Sequence, residues 1–172
     1  MPAELNIPTR LETPKGLRIH IGLFGRRNAG KSSLINALTN QQIAIVSDVP
    51  GTTTDPVEKA CELAPVGPVV FIDTAGIDDV GKLGHLRTDR TMSVLGWMDL
   101  ALIVCDAAGI TDYEKELFRI VTANKTPAIV VLNKTDLHAP EAPVISTIKS
   151  FNLPFVSVSA SEHIGIDTLR SA

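Results

Sequence analysis

One stretch constrains this chain more than any other. Gly25-Arg26-Arg27-Asn28-Ala29-Gly30-Lys31-Ser32 fits the pattern G-x-x-x-x-G-K-[ST]. Before it, Leu17–Phe24 is a short apolar-rich run that reads as a strand. After it, Lys31 to Thr39 places Leu34, Ile35, Ala37 and Leu38 on one side of a predicted helix. Strand, glycine-rich loop and helix in that order make a phosphate cradle. The glycines let the backbone wrap an anion with its N–H groups, and the helix start adds its own N–H groups and positive dipole end. Gly25 through Ser33 are therefore candidate phosphate-binding residues. Lys31 should reach the β- and γ-phosphates, and the Ser32 hydroxyl should bind magnesium. The bland alternative, a chance glycine-rich turn, does not require the flanking strand and helix.

The rest of the chain repeats an alternation of strands and helices. Val57–Leu63 reads as a strand, Gly67 and Pro68 as a turn, and Val69–Asp73 as a second strand. Arg87–Met98 is predicted helical, weakened at its end by Gly96. Leu100–Asp106 is an apolar run of the kind buried on both faces of a parallel sheet. Thr111 and Glu114 form a capping box for a helix whose apolar face is Tyr113, Leu117, Ile120 and Val121. A strand at Pro127–Asn133, a helix at Ala142–Ser150, a strand at Pro154–Ser157 and a helix from Ile166 complete the series. This order predicts an α/β fold. Residues 1–16, with Pro2, Pro8 and Pro14, read as an extended arm ahead of a single domain over 17–172.

Composition narrows the function. With 172 residues and 44% hydrophobic content the chain can build one real core. A net charge of −3 gives no global pull toward nucleic acid or anionic membrane. No apolar run approaches the roughly 20 residues of a membrane span, and the first sixteen residues lack an apolar signal core, so a cytoplasmic protein is expected. Two cysteines, Cys61 and Cys105, exclude a disulfide scaffold and read as small core residues. The four histidines (His20, His85, His138, His163) are scattered without metal-ligand spacing, and His20, alternating with apolar neighbours on a strand, reads as a packed, hydrogen-bonded core residue.

Two further motifs complete a site. Asp73-Thr74-Ala75-Gly76 follows a strand, at the end where ligands bind in open α/β sheets. Asp73 would hold magnesium through water, and the Gly76 N–H could reach a γ-phosphate. Alone, such an aspartate is often only a turn cap. Asn133-Lys134-Thr135-Asp136 follows another strand. Asp136 can accept two hydrogen bonds from guanine's ring N–H and exocyclic amine, a donor pair adenine lacks. Asn133 can join the loops, and the aliphatic stem of Lys134 can lie on the base. Ser159-Ala160-Ser161 can offer backbone N–H groups to the guanine carbonyl. Taken singly, N-K-T-D is also a common Asx-rich turn; the ordered set is not.

In this order over residues 17–172, the motifs resemble a translation-factor-class GTPase domain of the Ras-like P-loop fold. That resemblance implies a six-stranded, mostly parallel sheet with helices on both faces, GTP and GDP as ligands, and magnesium. Many small GTPases carry a glutamine after D-x-x-G to orient the attacking water; here Ile77 stands there. The chain is similar to the subgroup with a hydrophobic residue at that position, in which an asparagine in the phosphate loop ligates potassium. That asparagine is Asn28, for which a plain turn role is the alternative. Potassium would supply charge that an arginine finger gives elsewhere. The loop Ser47–Asp55 would be the first switch, with Thr53 as the magnesium ligand and Thr52 its near rival; Gly76–Arg87 would be the second. The catalytic set so implied is Lys31, Asn28, Thr53 and Gly76, in a slow, potassium-stimulated enzyme. A nucleotide switch module with negligible hydrolysis fits Ile77 equally.

Within that subgroup, G-T-T-T-D-P-V, with Thr54 where relatives show arginine, and L-G-H-L-R ending at Arg87 look like the GTPase domain of HydF proteins. Those are scaffold and carrier GTPases of FeFe-hydrogenase maturation. The resemblance implies radical-SAM maturases and the hydrogenase apoprotein as partners, a possible homodimer, and a 4Fe–4S cluster on a downstream domain whose cysteines are not in this sequence. The closing helix reaches Ala172 after about two turns, where the fold uses three or more; this chain therefore reads as a piece of a longer protein. A tRNA-modification or ribosome-assembly GTPase is the alternative, with the acidic balance and Thr54 against it and nucleic acid not expected as a partner.

Overall fold

The computed structural model describes residues 15–39, 57–74 and 88–172. Six strands form one sheet: β1 (Ile19–Phe24), β2 (Val57–Leu63), β3 (Gly67–Asp73), β4 (Leu100–Asp106), β5 (Ala128–Asn133) and β6 (Phe155–Ser157). Their order is β2-β3-β1-β4-β5-β6. Among the described residues, the β2–β3 pair is the one antiparallel pairing in the sheet; β1 pairs parallel with β3 and β4, and β5 with β4 and β6. The helices are α1 (Lys31–Thr39), α2 (Thr88–Leu95), α3 (Asp112–Ala123), α4 (Ala142–Ser150) and α5 (Ile166–Ser171). This is the Ras-like P-loop fold expected from the motifs.

The strand period of two divides the core between the faces of the sheet. Phe24, Ile72, Ile103 and Cys105 pack with Leu117 and Phe118 of α3 and Ile148 of α4. Leu23, Phe71, Val104 and Cys61 pack on the other face with Leu34 and Ile35 of α1 and Leu169 of α5. Fully burying each such side chain contributes about 1.5–3 kcal/mol. The two cysteines thus lie buried on opposite faces, as core residues. The expected apolar face of α3 is buried throughout.

Several boundaries differ from the sequence expectation. Leu17 belongs to a 3-10 turn, Lys15–Leu17, and is 72% exposed, so β1 starts at Ile19. Pro127 and Pro154 fall just outside β5 and β6. Their carbonyls accept from Ala101 (2.8 Å) and Val130 (2.9 Å), but proline has no N–H to return to the ladder. α2 runs Thr88–Leu95 rather than to Met98, ending where Gly96 follows. His20 sits at the edge of the core rather than within it. Its ring packs edge-on against Trp97 at 5.9 Å, and its backbone N–H donates to Asp99 at 2.8 Å. Residues 1–14 of the arm, the loop with Thr52 and Thr53, and the segment with Gly76 and Ile77 lie outside the described residues. Among the described residues, no helix is long and apolar enough to cross a membrane.

Candidate functional site

The parallel register brings the C-terminal ends of β1, β3, β4, β5 and β6 to one edge of the sheet. β1 is the strand from which the order runs outward in both directions, the place where open α/β sheets bind ligands. The loop after β1 turns tightly. Gly25 has φ +145, and a Cβ there would stand 2.3 Å from the Val104 carbonyl oxygen. Gly30 has φ +96, and a Cβ would stand 2.2 Å from the Asn133 side-chain nitrogen. Only glycine fits either position. Asn28, exposed between them, adopts φ 64, a left-handed conformation asparagine tolerates. The turn role and the cation role proposed for Asn28 are therefore compatible.

Lys31, buried at the start of α1, donates its ammonium to the carbonyls of Gly25 and Arg26 inside the loop. The Ser33 side is exposed, as is Ser32. The Ser32 hydroxyl lies 3.4 Å from Asp73 Oδ2 at the end of β3. A hydroxyl and a carboxylate so placed are two hard oxygen donors, a set that suits magnesium. Thr74, fully buried, donates its hydroxyl to the Leu23 carbonyl and ties the end of β3 to β1.

Asn133, 2% exposed, joins three loops. Its Nδ2 donates to the Ala29 carbonyl (3.0 Å), and its Oδ1 accepts the Ala160 N–H (3.1 Å). Lys134 adopts φ 65, and its ammonium pairs with Asp106 at 2.9 Å. Asp136 is exposed and accepts the Ser159 hydroxyl at 2.6 Å. The amides of Ser159 and Ala160 donate within the protein, to Ile164 (3.0 Å) and to Asn133. The hydroxyl of the buried Ser159 is the part that orients Asp136. Arg26, Arg27, Asn28, Ala29, Asp106 and Lys134 line a cavity of about 170 Å³ between the phosphate and base loops.

Two acids at this edge lie outside the nucleotide-binding motifs. Partial burial alone would raise the Asp106 carboxyl, but the Ala108 N–H and the Lys134 ammonium outweigh it and hold it below the usual range. Glu114 is fully buried and pairs with Arg26 at 2.5 Å. The strand-end position of Asp106 was a signal available in the sequence. The reach of Glu114 to the phosphate loop was not, because only its local capping role shows in spacing.

Burial pushes the Cys61 thiol up to about 11 and the Cys105 thiol further. Among the described residues, no three histidine, cysteine or acidic side chains cluster as a metal site.

The comparisons with known proteins agree with this geometry. Residues 20–134 match the family of 50S ribosome-binding GTPases. The tRNA modification GTPase MnmE of Picosynechococcus is 38% identical over 90% of this chain and 34% of its own length. GTPase Der of Wolinella succinogenes is 36% identical over 92% of this chain and 35% of its own. The chain thus spans about a third of the length of these curated relatives. A crystal structure of Aquifex aeolicus Era bound to GDP and aluminium fluoride superposes with a TM-score of 0.66 at 28% identity, covering 88% of this chain and 54% of the other. Family match, relatives and fold converge: this chain belongs to the 50S ribosome-binding GTPase family, as a GTP-binding and GTP-hydrolysing P-loop domain of the TrmE, Era and Der type.

Proposed function

We propose that the domain is a guanine-selective switch whose hydrolysis is slow and stimulated by potassium. The observation that carries the reading is the joined edge: Asn133 ties the phosphate loop to the loop after β6, and Ser159 sets the Asp136 carboxylate. In this reading Asp136 accepts from guanine, the stem of Lys134 lies on the base, and the amides of Gly25–Ser33 hold the phosphates. Lys31 exchanges its carbonyl partners for β- and γ-phosphate oxygens. Ser32 and Asp73, with Thr53 from the first switch, hold magnesium, whose charge offsets that developing on the phosphates. Gly76 contributes its N–H at the γ-phosphate. Ile77 cannot orient water, and Asn28 holds potassium beside the phosphates. Single-turnover GTP hydrolysis in potassium and in sodium tests this. A potassium-specific rate that Asn28→Ala abolishes, with GDP affinity kept, supports it; equal rates in both salts reject the cation role.

For the biological role, an RNA-linked modification or assembly function has the stronger support. It rests on 38% identity to a tRNA modification GTPase over 90% of the chain. A second reading, a carrier in FeFe-hydrogenase maturation with radical-SAM maturases as partners and a 4Fe–4S cluster elsewhere in the protein, rests on Thr54 and the L-G-H-L-R run. Salt-dependent retention of tRNA or ribosomal RNA by the full-length protein favours the first. Nucleotide-dependent co-purification with the maturases, without RNA, favours the second.

A further inference from the structure

The connection from β4 to α3 carries none of the nucleotide-binding motifs, yet it grips both nucleotide loops. At its start, Asp106 holds Lys134 of the base loop at 2.9 Å and accepts the Ala108 N–H at 2.9 Å. The Ala107 N–H donates to the Asn133 carbonyl at 2.9 Å. Beyond its far end, in the first turn of α3, Glu114 reaches in two directions. One carboxylate oxygen accepts the Arg26 Nε at 2.5 Å; the other accepts the Thr111 N–H at 2.8 Å and the Thr111 hydroxyl.

Glu114 is 0% exposed. A charge taken fully out of water is costly unless it is paired and its oxygens are satisfied. A helix cap alone does not need that burial, since the same capping box works at the surface. Here the extra partner is Arg26, whose side chain is 39% exposed and belongs to the phosphate loop. The Arg26 carbonyl in turn accepts the Ala29 N–H at 3.1 Å and the Lys31 ammonium at 3.3 Å. Arg26 is therefore the residue through which a buried carboxylate on α3 reaches the glycine-rich turn after β1.

We propose that Glu114 is a positioning residue for nucleotide binding: through Arg26 it fixes the Gly25–Ala29 turn in its phosphate-binding shape. The inference rests on the nucleotide site described above and adds a residue outside its motifs. The Glu114–Arg26 pair spans 88 positions in sequence and links α3 to the loop after β1. Loss of either partner leaves the turn free to relax between nucleotide contacts, so release of nucleotide quickens.

The test is a double-mutant cycle on the dissociation rate of N-methylanthraniloyl-GDP, with Tm recorded for each protein. Glu114→Gln keeps the shape of the side chain, and Arg26→Gln alters only the loop side of the contact. Should Glu114→Gln fail to fold, the more exposed Arg26→Gln reports on the same contact. Each single variant is expected to release the analogue about tenfold faster, and the double variant no faster than the quicker single. Unchanged release with lowered Tm would make the pair purely structural and overturn the proposal. So would additive effects, about a hundredfold in the double variant, because the two residues would then act separately. Failure of the wild-type protein to bind the analogue would instead remove the nucleotide site on which the proposal stands.

Discussion

The side-chain nitrogen of Asn133 donates to the Ala29 carbonyl at 3.0 Å across 104 positions of sequence. With its oxygen on the Ala160 N–H, the same amide holds the phosphate loop and the loop after β6 in one arrangement. Both contacts are buried. Asn133→Ala orphans an acceptor and a donor at about 1–3 kcal/mol each. The expected result is a fall in Tm of roughly 5–20 °C for a domain of this size, with GDP affinity reduced by at least about tenfold. Thermal melts with and without GDP, and a GDP titration, check both parts.

Gly30 makes the same junction intolerant of a side chain. Its φ is +96, and a Cβ would meet the Asn133 nitrogen at 2.2 Å. Gly30→Ala should break the Asn133–Ala29 bond and weaken nucleotide binding by a similar factor. In the Asn133→Ala background the clash is relieved while the strain of a positive φ remains, so the second substitution should cost less than it does in the wild type; a titration of the double variant tests this.

The Asp106–Lys134 pair carries a pH signature. The folded carboxyl lies below its usual range, because the Ala108 N–H and Lys134 outweigh partial burial. Its contribution is therefore fully present above the unfolded value of about 4 and is lost as pH falls through the lower folded value. Asp106→Asn should cost about 1 kcal/mol at neutral pH, between the values of exposed and buried pairs. The gap between wild type and variant should stay flat down to about pH 5 and close below about pH 4. Urea midpoints across that range give the answer.

The thiols should be silent in the folded protein. Burial holds Cys61 at about 11 and Cys105 higher still, so neither forms thiolate at neutral pH. A disulfide reagent should label neither in the native state and both of the protein's 2 cysteines in denaturant. Rapid native labelling would contradict the packing of β2 or β4.

Most of the fold and the motif residues were legible because their signals are local. The phosphate loop needs its glycines at fixed offsets, α3 shows its apolar face at helical spacing, and β4 and β5 are continuous apolar runs. Leu17 misled because hydrophobicity marks it as strand, whereas among the described residues no element covers it. The strand-end place of Asp106 was visible, but its partner was not, and neither were the roles of Glu114 and the Ser159 hydroxyl. Each depends on which strands become neighbours: Arg26 meets Glu114 only because β4 lies beside β1, and Lys134 meets Asp106 only because β5 lies beside β4. Spacing along the chain carries no trace of such pairs.

The claim that this edge of the sheet reads guanine through Asp136 is tested most directly by a nucleotide titration of the wild-type protein and Asp136→Asn. The wild type should bind GDP far more tightly than ADP or XDP. Asp136→Asn exchanges a double acceptor for a donor and an acceptor, so its preference should move from GDP to XDP by about a hundredfold or more. A variant that kept the wild-type preference for GDP would contradict the assignment of the base site.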